Sequence, residues 1–235
     1  MHEQRTTISA AVAADTATDA AGILPGLPAS ERANVTTHGI GIALSVLGFF
    51  LLVNLTRNGR EPAMFWSSIV YGLTLISVYT ASTLYHAARD ARRRRVLEIA
   101  DHSAIYLLIA GTFTPFGVRL GGVTGIGLLS ALWGLAVFGV LFKIFCGTRY
   151  EAVSLTMYLL MGWGPILVLK AIFHATSWSA VEWLVLGGLC YTVGVPVYVL
   201  SHKNPRLHMF WHLAVMLGSV CHFISVLYCI RAGMA

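Results

Sequence analysis

The sequence predicts an all-α integral membrane protein, a seven-transmembrane-helix bundle with its N-terminus in the cytoplasm. Of the 235 residues, 57% are hydrophobic and only 11% are charged, which is too little polar surface for a water-soluble globule. Seven runs of about 18 or more residues carry almost no charge, and each can cross a hydrocarbon core about 30 Å thick as a helix. These runs are approximately residues 36–55, 63–86, 101–118, 122–142, 151–173, 180–200 and 207–230.

The basic residues are divided unequally between the two sides of this predicted bundle. Of the 16 Lys and Arg residues, eleven lie on the side of the N-terminus, including Lys143 and the run RDARRRR, and five lie on the other side. Cytoplasmic loops are enriched in Lys and Arg, so the N-terminus is predicted inside and the C-terminus outside the cell membrane. The net charge of +6 is attributed to this orientation, and no nucleic-acid partner is expected.

Residues outside the apolar runs predict a simple domain organisation. Residues 1–30 lack the ordered regions of a secretory signal and are rich in Ala and Thr, so they are predicted to form a mobile N-terminal tail. Residues 31–235 form the predicted transmembrane domain. The four cysteines have no CxxC motif or regular pairing, which predicts no disulfide framework.

Polar side chains collect where three predicted spans reach the cytoplasmic side. The second span ends there with Ser82 and His86, the third begins with Asp101, and the seventh begins with His208 and His212. An unpartnered polar group inside lipid costs about 2–7 kcal/mol by transfer measurements. We therefore expect these side chains to face one another inside the bundle.

Their spacing and chemistry predict a metal site. His208 and His212 are four residues apart, so both rings project from one face of a helix about one turn from each other. Three neutral imidazoles with a nearby carboxylate and no thiolate suit zinc, whose catalytic sites commonly use three protein ligands and leave a fourth position for water. We predict that His86, His208 and His212 are the zinc ligands.

Three other histidines are interpreted as structural. His174 and His202 lie close to predicted loops, and His102 is expected to point about 100° away from its neighbour Asp101 on a helix. His222 lies ten residues beyond His212, which places it about 15 Å deeper along a helix and too far away for the same metal.

The first predicted span begins with a polar segment of uncertain role. His38 either lies beside the metal site or helps to cap the first helix. Asn34, Thr36 and Thr37 are residue types that commonly cap helix N-termini.

The residues named above lie in segments that resemble the hemolysin III family and its larger relatives, the progestin and adipoQ receptors. ERANVTTH resembles the first span of that family, STLYH the end of its second span, and DHSAIYLLIAGTFTP its third. YLLMGW resembles the fifth span and HMFWHLAVMLGSVCHF the seventh. The resemblance covers the whole membrane region, and the ordered combination is more specific than any one motif.

The resemblance implies both a site and a chemistry. It implies one zinc ion near the cytoplasmic face, held at the positions of His86, His208 and His212, with Asp101 contacting the water on zinc. Ser82 matches the serine of the family's second motif. The wider group is similar to alkaline ceramidases, which hydrolyse a lipid amide, so the substrate expected here is a ceramide-like amide drawn from the membrane lipids.

The working hypothesis is therefore a zinc-dependent lipid amidohydrolase. Zinc activates water and polarises the scissile carbonyl, and Asp101 transfers a proton from that water to the leaving amine. Ser82 either hydrogen-bonds the developing oxyanion or fixes the Asp101 carboxylate, and the sequence leaves both roles open.

Other functions use the same fold or the same histidines. One is a non-catalytic, zinc-stabilised membrane sensor or receptor-like protein. Another is a pore-forming cytolysin, which the family name suggests but the scarcity of ionisable residues in mid-span argues against. A bis-histidine haem would use the same imidazoles and would show a Soret band. A retinal protein is excluded because the seventh span has no lysine, and a G-protein-coupled receptor would place its N-terminus outside.

Overall fold

The computed structural model of the protein describes residues 26–59 and 61–233, and this part of the chain is helical throughout, without strands. Seven helices are long and apolar enough to cross a membrane, one for each predicted span, so the predicted all-α class and the seven spans are confirmed. They are α1 (Ala29–Thr56), α2 (Pro62–Ala87), α3 (Ala91–Leu120), α4 (Gly122–Cys146), α5 (Glu151–Ala175), α6 (Trp178–Ser201) and α7 (His208–Arg231).

Helix α1 begins earlier than the apolar pattern predicts. It begins at Ala29 instead of near residue 36, so the prediction that Asn34, Thr36 and Thr37 cap its N-terminus is wrong. The polar residues lie within the first turns of the helix, because a helix can extend beyond the apolar core that defines a span. Most of the predicted tail, residues 1–30, lies outside the described residues, and its last two residues already belong to α1.

Helix α3 also begins early, in the middle of the basic run. Its first residue is Ala91, and the side chain of Asp90 accepts a hydrogen bond of 2.9 Å from the backbone N–H of Arg93. Such a cap satisfies one of the N–H groups that a helix leaves unpaired at its start. Residues 92–95 therefore form the first helical turns, and Asp101 lies ten residues into α3.

Proline and glycine set the main irregularities of the bundle. A 3₁₀ turn, Gly164–Val168, interrupts α5, because Pro165 lacks an N–H and its ring cannot fit against the preceding helical turn. A second 3₁₀ turn, Pro205–Leu207, leads into α7. Gly121 alone connects α3 to α4, and its φ of 61° is a conformation that glycine adopts without strain.

The helices form a closed ring, and α3 packs both against its neighbours in this ring and across its interior. Each helix packs against its neighbour in sequence, α1 closes the ring against α7, and α3 also contacts α5 and α7. Large side chains of α3, including Tyr106 and Phe116, are completely buried. The central position of α3 places Asp101 among the inward-facing residues of several other helices.

The outside of the bundle is apolar and part of its interior is polar. Val123 and Leu167 are each 90% exposed, whereas Ser68 and Ser225 are fully buried. This distribution suits lipid as the solvent, since lipid offers no partner to a hydroxyl group. All four cysteines are free, so the prediction of no disulfide is confirmed.

Helices α6 and α7 come into close contact around His222. A Cβ atom added at Gly187 would lie 2.1 Å from Cδ2 of the His222 ring, so only glycine leaves room for it. Nε2 of His222 donates a hydrogen bond of 3.1 Å to the carbonyl of Leu184. This bond explains how a buried imidazole is accommodated deep in the bundle.

Candidate metal centre

The three histidines predicted as ligands lie together at one end of the bundle, where the chain enters α1. His86 is in the last turn of α2, while His208 and His212 occupy the start of α7. One ring nitrogen from each lies within 4.8 Å of the other two, a spacing at which they could hold a metal ion.

The His86 ring is oriented by a carboxylate from α1. Its Nδ1 lies 2.6 Å from Oε2 of Glu31, and Oε1 of Glu31 accepts a 2.6 Å bond from Arg94. The Arg94 guanidinium also lies over the Tyr85 ring, 4.5 Å from its centroid. A carboxylate only accepts hydrogen bonds, so Nδ1 of His86 carries the hydrogen and Nε2 has the lone pair.

Hydroxyl groups orient the other two rings, and here too Nδ1 carries the hydrogen. Nδ1 of His212 lies 3.2 Å from Oγ1 of Thr37, and Nδ1 of His208 lies 3.2 Å from Oγ of Ser201. The Thr37 hydroxyl donates its hydrogen to a carbonyl of α1 at 2.9 Å, and the Ser201 hydroxyl donates to a carbonyl of α6 at 2.6 Å. Because each hydroxyl has one hydrogen, its oxygen must accept from the imidazole.

All three imidazoles therefore share one tautomer, with Nδ1 as donor and Nε2 as free acceptor. Nε2 of His86 is buried and has no hydrogen-bond partner among the described residues. In metal sites the second nitrogen of a histidine ligand is usually held in this way, which fixes the ring and its tautomer. The donor set of three neutral imidazoles without a thiolate fits zinc.

The two residues predicted as catalytic lie in the wall of the same cavity. Ser82, on α2, is buried and lies near the carboxyl group of Asp101 on α3. Both residues line the cavity that the three histidines also line. Of the two roles left open for Ser82, the contact favours the one in which it fixes the Asp101 carboxylate.

The cavity is about 420 Å³ in volume and extends from the histidine cluster into the centre of the bundle. Its wall includes apolar side chains such as Val78, Ile109, Phe113 and Val215, and His222 lies at its deep end. His212 and His222 are ten residues apart on α7, so the cavity spans about 15 Å along that helix. Its shape and lining suit a ligand with an apolar chain and a polar group near the histidines.

His38 lies beside the cluster and does not cap a helix. It is ten residues beyond Pro28, which precedes α1, and only 4% of its surface is exposed. Its ring stacks on that of His212, with the centroids 3.5 Å apart and the planes 13° from parallel. Neither of its nitrogens has a partner among the described residues. The interpretation of His38 as a cap is therefore wrong, and the residue packs directly on a predicted ligand.

A second group of polar side chains, which no sequence motif indicates, lines the cavity between α3, α5 and α6. Glu151 accepts a hydrogen bond from the Tyr198 hydroxyl and lies 3.4 Å from Nε2 of His202. The same hydroxyl lies 3.4 Å from Nε2 of His102. We call Glu151, Tyr198, His102 and His202 the Glu151 cluster. His102 and His202 thus line the same cavity as Asp101, whereas His174 is exposed elsewhere.

Lys143 adds a charge to this part of the wall. The sequence predicts Lys143 as a loop residue, but it belongs to α4, only 1% of its surface is exposed and it lines the cavity, so its placement in a loop is wrong. Its position in the last turn of α4 gave no indication of which way the side chain points.

Some of the residues that hold the ligand rings could have been recognised in the sequence and others could not. Glu31, Asn34 and His38 follow one another at three and four residues, a spacing that places them on one face of a helix. Thr37 and Ser201 carry no comparable signal, because hydroxyl residues are common in transmembrane helices.

The fold and the cluster together define a multi-pass membrane protein with three converging imidazoles at one end of a seven-helix bundle. The chain belongs to the hemolysin III family, since the family model described as Haemolysin-III related matches residues 28–223. The resemblance predicted from the sequence motifs is therefore confirmed.

Individual relatives agree with this assignment over most of the chain. The hemolysin-3 homolog of Bacillus subtilis (strain 168) is 39% identical over 203 residues, which cover 86% of this chain and 95% of that protein. Hemolysin-3 of Bacillus cereus is 38% identical over 84% of this chain and 90% of its own length. The human monocyte to macrophage differentiation factor is 27% identical over 83% of this chain and 82% of its own length.

Proposed function

We propose that the protein is a zinc-dependent hydrolase that cleaves an amide bond of a membrane lipid, at a site near the predicted cytoplasmic side. The observation that carries the proposal is the shared tautomer of the three histidines. Glu31, Thr37 and Ser201 each hold one Nδ1 atom, and this leaves three Nε2 lone pairs available to one cation.

The chemistry follows from the groups in the cavity wall. Zinc bound by three imidazoles supplies Lewis-acid activation of a carbonyl group and of water. Asp101 accepts a proton from the attacking water and delivers it to the leaving amine. Ser82, which lies near the Asp101 carboxylate, would donate a hydrogen bond to it and keep the proton acceptor in one position.

The cavity supports a lipid as substrate. Its apolar wall accommodates an acyl chain, and its polar groups are concentrated around the histidine and Glu151 clusters. The surrounding helices present apolar side chains to the membrane, and we propose that a lipid enters the cavity from the bilayer by passing between helices. A ceramide-like amide combines the acyl chain and the scissile group that this arrangement requires.

The test compares metal content with lipid cleavage in detergent-purified protein. Zinc is measured in the wild type, His208→Ala, His212→Ala and Asp101→Asn, with His174→Ala as a control at an exposed histidine. We expect zinc in the wild type, Asp101→Asn and the control, and little in the two ligand variants. Fatty acid should be released from ceramide only by the wild type and the control.

Two results would overturn parts of this proposal. Equal zinc in all five proteins would remove the ligand assignment. Full zinc in the wild type without cleavage of any lipid amide or ester would remove the hydrolase.

The second of these results would favour a non-catalytic, zinc-stabilised membrane sensor. The predicted ligands come from α2 and α7, so one ion would join two helices that are distant in sequence. The name hemolysin-3 of the Bacillus relatives adds a cytolytic pore as a further candidate. Conductance in planar bilayers that does not depend on His208 or His212 would support a pore.

A further inference from the structure

Lys143 is a buried cation inside a transmembrane helix, and the proposed hydrolysis does not use it. Only 1% of its surface is exposed, and its side chain lines the cavity. A charged group buried among helices is costly unless a partner compensates for the loss of water, and buried ionisable residues in membrane helices commonly mark binding sites.

Acidic residues lie near Lys143, but no described residue pairs directly with its ammonium group. Glu151 and Glu98 act on it electrostatically, yet its ammonium group makes no salt bridge or hydrogen bond with either of them. Glu151 is instead engaged by Tyr198 and His202. The three donor hydrogens of the ammonium group are therefore available to a molecule in the cavity.

The rest of the cavity indicates what kind of molecule would bind. Apolar side chains from several helices cover much of its wall, including Leu155, Leu159 and Val195. A ligand that fills this space has an apolar chain, and a ligand that satisfies Lys143 has an oxygen atom with negative charge. Charge-assisted hydrogen bonds from an ammonium group to such an oxygen are among the strongest in proteins.

We infer that Lys143 binds the anionic group, a carboxylate or a phosphate, of a single-chain lipid held in the cavity. The ligand lies with its chain along the apolar wall and its charged group between α4 and the Glu151 cluster. Glu151 is close enough to repel this group, so it limits the affinity. The inference concerns binding, and it does not require zinc or turnover.

A purely structural role for Lys143 predicts a different effect of Glu151→Gln on lipid binding. If Lys143 only balances the charge of Glu151, then removing the Glu151 charge leaves lipid binding unchanged. If Lys143 holds an anion, Glu151→Gln tightens the binding of anionic lipids, because a repulsive charge disappears. The amide oxygen of glutamine still accepts the hydrogen bond from Tyr198, so the cluster keeps its contact.

The experiment measures equilibrium binding of radiolabelled lipids to purified full-length protein in detergent. The probes are oleate, oleoyl-lysophosphatidic acid and monooleoylglycerol, which share one chain and differ in the charged group. The variants are Lys143→Met, Lys143→Arg and Glu151→Gln, with Lys170→Met as a control. Lys170 is exposed on α5 and does not line the cavity. All proteins carry Asp101→Asn, so that turnover cannot affect the result.

We expect oleate or lysophosphatidic acid to bind more tightly than monooleoylglycerol, and the tighter of the two identifies the anion as carboxylate or phosphate. Lys143→Met should weaken that anionic probe by about tenfold or more without affecting the neutral one. Lys143→Arg should retain most of the affinity, Glu151→Gln should increase it, and Lys170→Met should leave it unchanged.

Equal binding of neutral and anionic probes by the parent protein would overturn the inference. Unchanged anion binding in Lys143→Met would do the same, as would unchanged or weaker binding in Glu151→Gln. The last test remains decisive if Lys143→Met does not fold, because Glu151→Gln leaves Lys143 in place. These outcomes are separate from the proposed hydrolase, which is judged by zinc content and cleavage.

Discussion

Replacing Glu31 with glutamine should weaken zinc binding by about ten- to one hundredfold. The carboxylate accepts two bonds of 2.6 Å, one from Nδ1 of His86 and one from Arg94. Glutamine has one carbonyl oxygen, so it can accept only one of them and must turn its NH₂ group toward the other donor. Hydrogen bonds to charged groups contribute about 1.5–3 kcal/mol. At about 1.4 kcal/mol for each tenfold change, the loss of one bond corresponds to the stated range.

The zinc dissociation constant is measured by competition with a chromophoric chelator, using purified protein in detergent. Glu61→Gln is the matched control, because Glu61 pairs with Arg119 at 3.0 Å at the opposite end of the bundle. It should bind zinc like the wild type. An affinity of Glu31→Gln within twofold of the wild type, or an equal loss in the control, would refute the contribution of the Glu31 carboxylate to zinc binding.

Three further expectations follow from the geometry. Thr37→Val and Ser201→Ala should each weaken zinc binding about tenfold, because each removes the acceptor for one Nδ1 atom; unchanged affinity in both would contradict the assigned tautomer. Gly187→Ala should destabilise the protein by about 1–3 kcal/mol. Gly188→Ala is the control: its Cβ would meet its nearest neighbour at 3.4 Å, so the melting curve should change little. Equal shifts in the two variants would argue against the close contact of α6 and α7. Removing zinc with a chelator should lower the melting temperature of the wild type. Metal at one hundred times its dissociation constant stabilises the folded protein by about 2.7 kcal/mol. A shift of the same size in His208→Ala would place the metal elsewhere.

The helices and the histidine cluster could be predicted because membrane thickness and helical periodicity leave direct traces in a sequence. Each span needs a long apolar run, and His208 and His212 are separated by one helical turn. His86 could be placed beside them because seven crossings bring the end of the second span to the same side as the start of the seventh.

The residues that orient the imidazoles depend on information that these regularities do not contain. Glu31 lies outside the apolar run, and the predicted start of the first span near residue 36 leaves it outside the first helix. Ser201 contacts His208 only because the chain turns sharply between α6 and α7. Lys143 was interpreted as a loop charge because hydropathy cannot tell which way a side chain points at the end of a helix.

The brevity of the helix connections has a practical consequence for mapping the two sides of the membrane. A reporter sequence is tolerated where it can be inserted without breaking a helix, and such places are scarce in this chain. Apart from the turn before α7, the longest connections are residues 57–61 and 147–150, and they lie at opposite ends of the bundle. An epitope inserted at each would report one face, so a pair of antibody-labelling experiments in intact and permeabilised cells would establish the direction in which the protein is threaded.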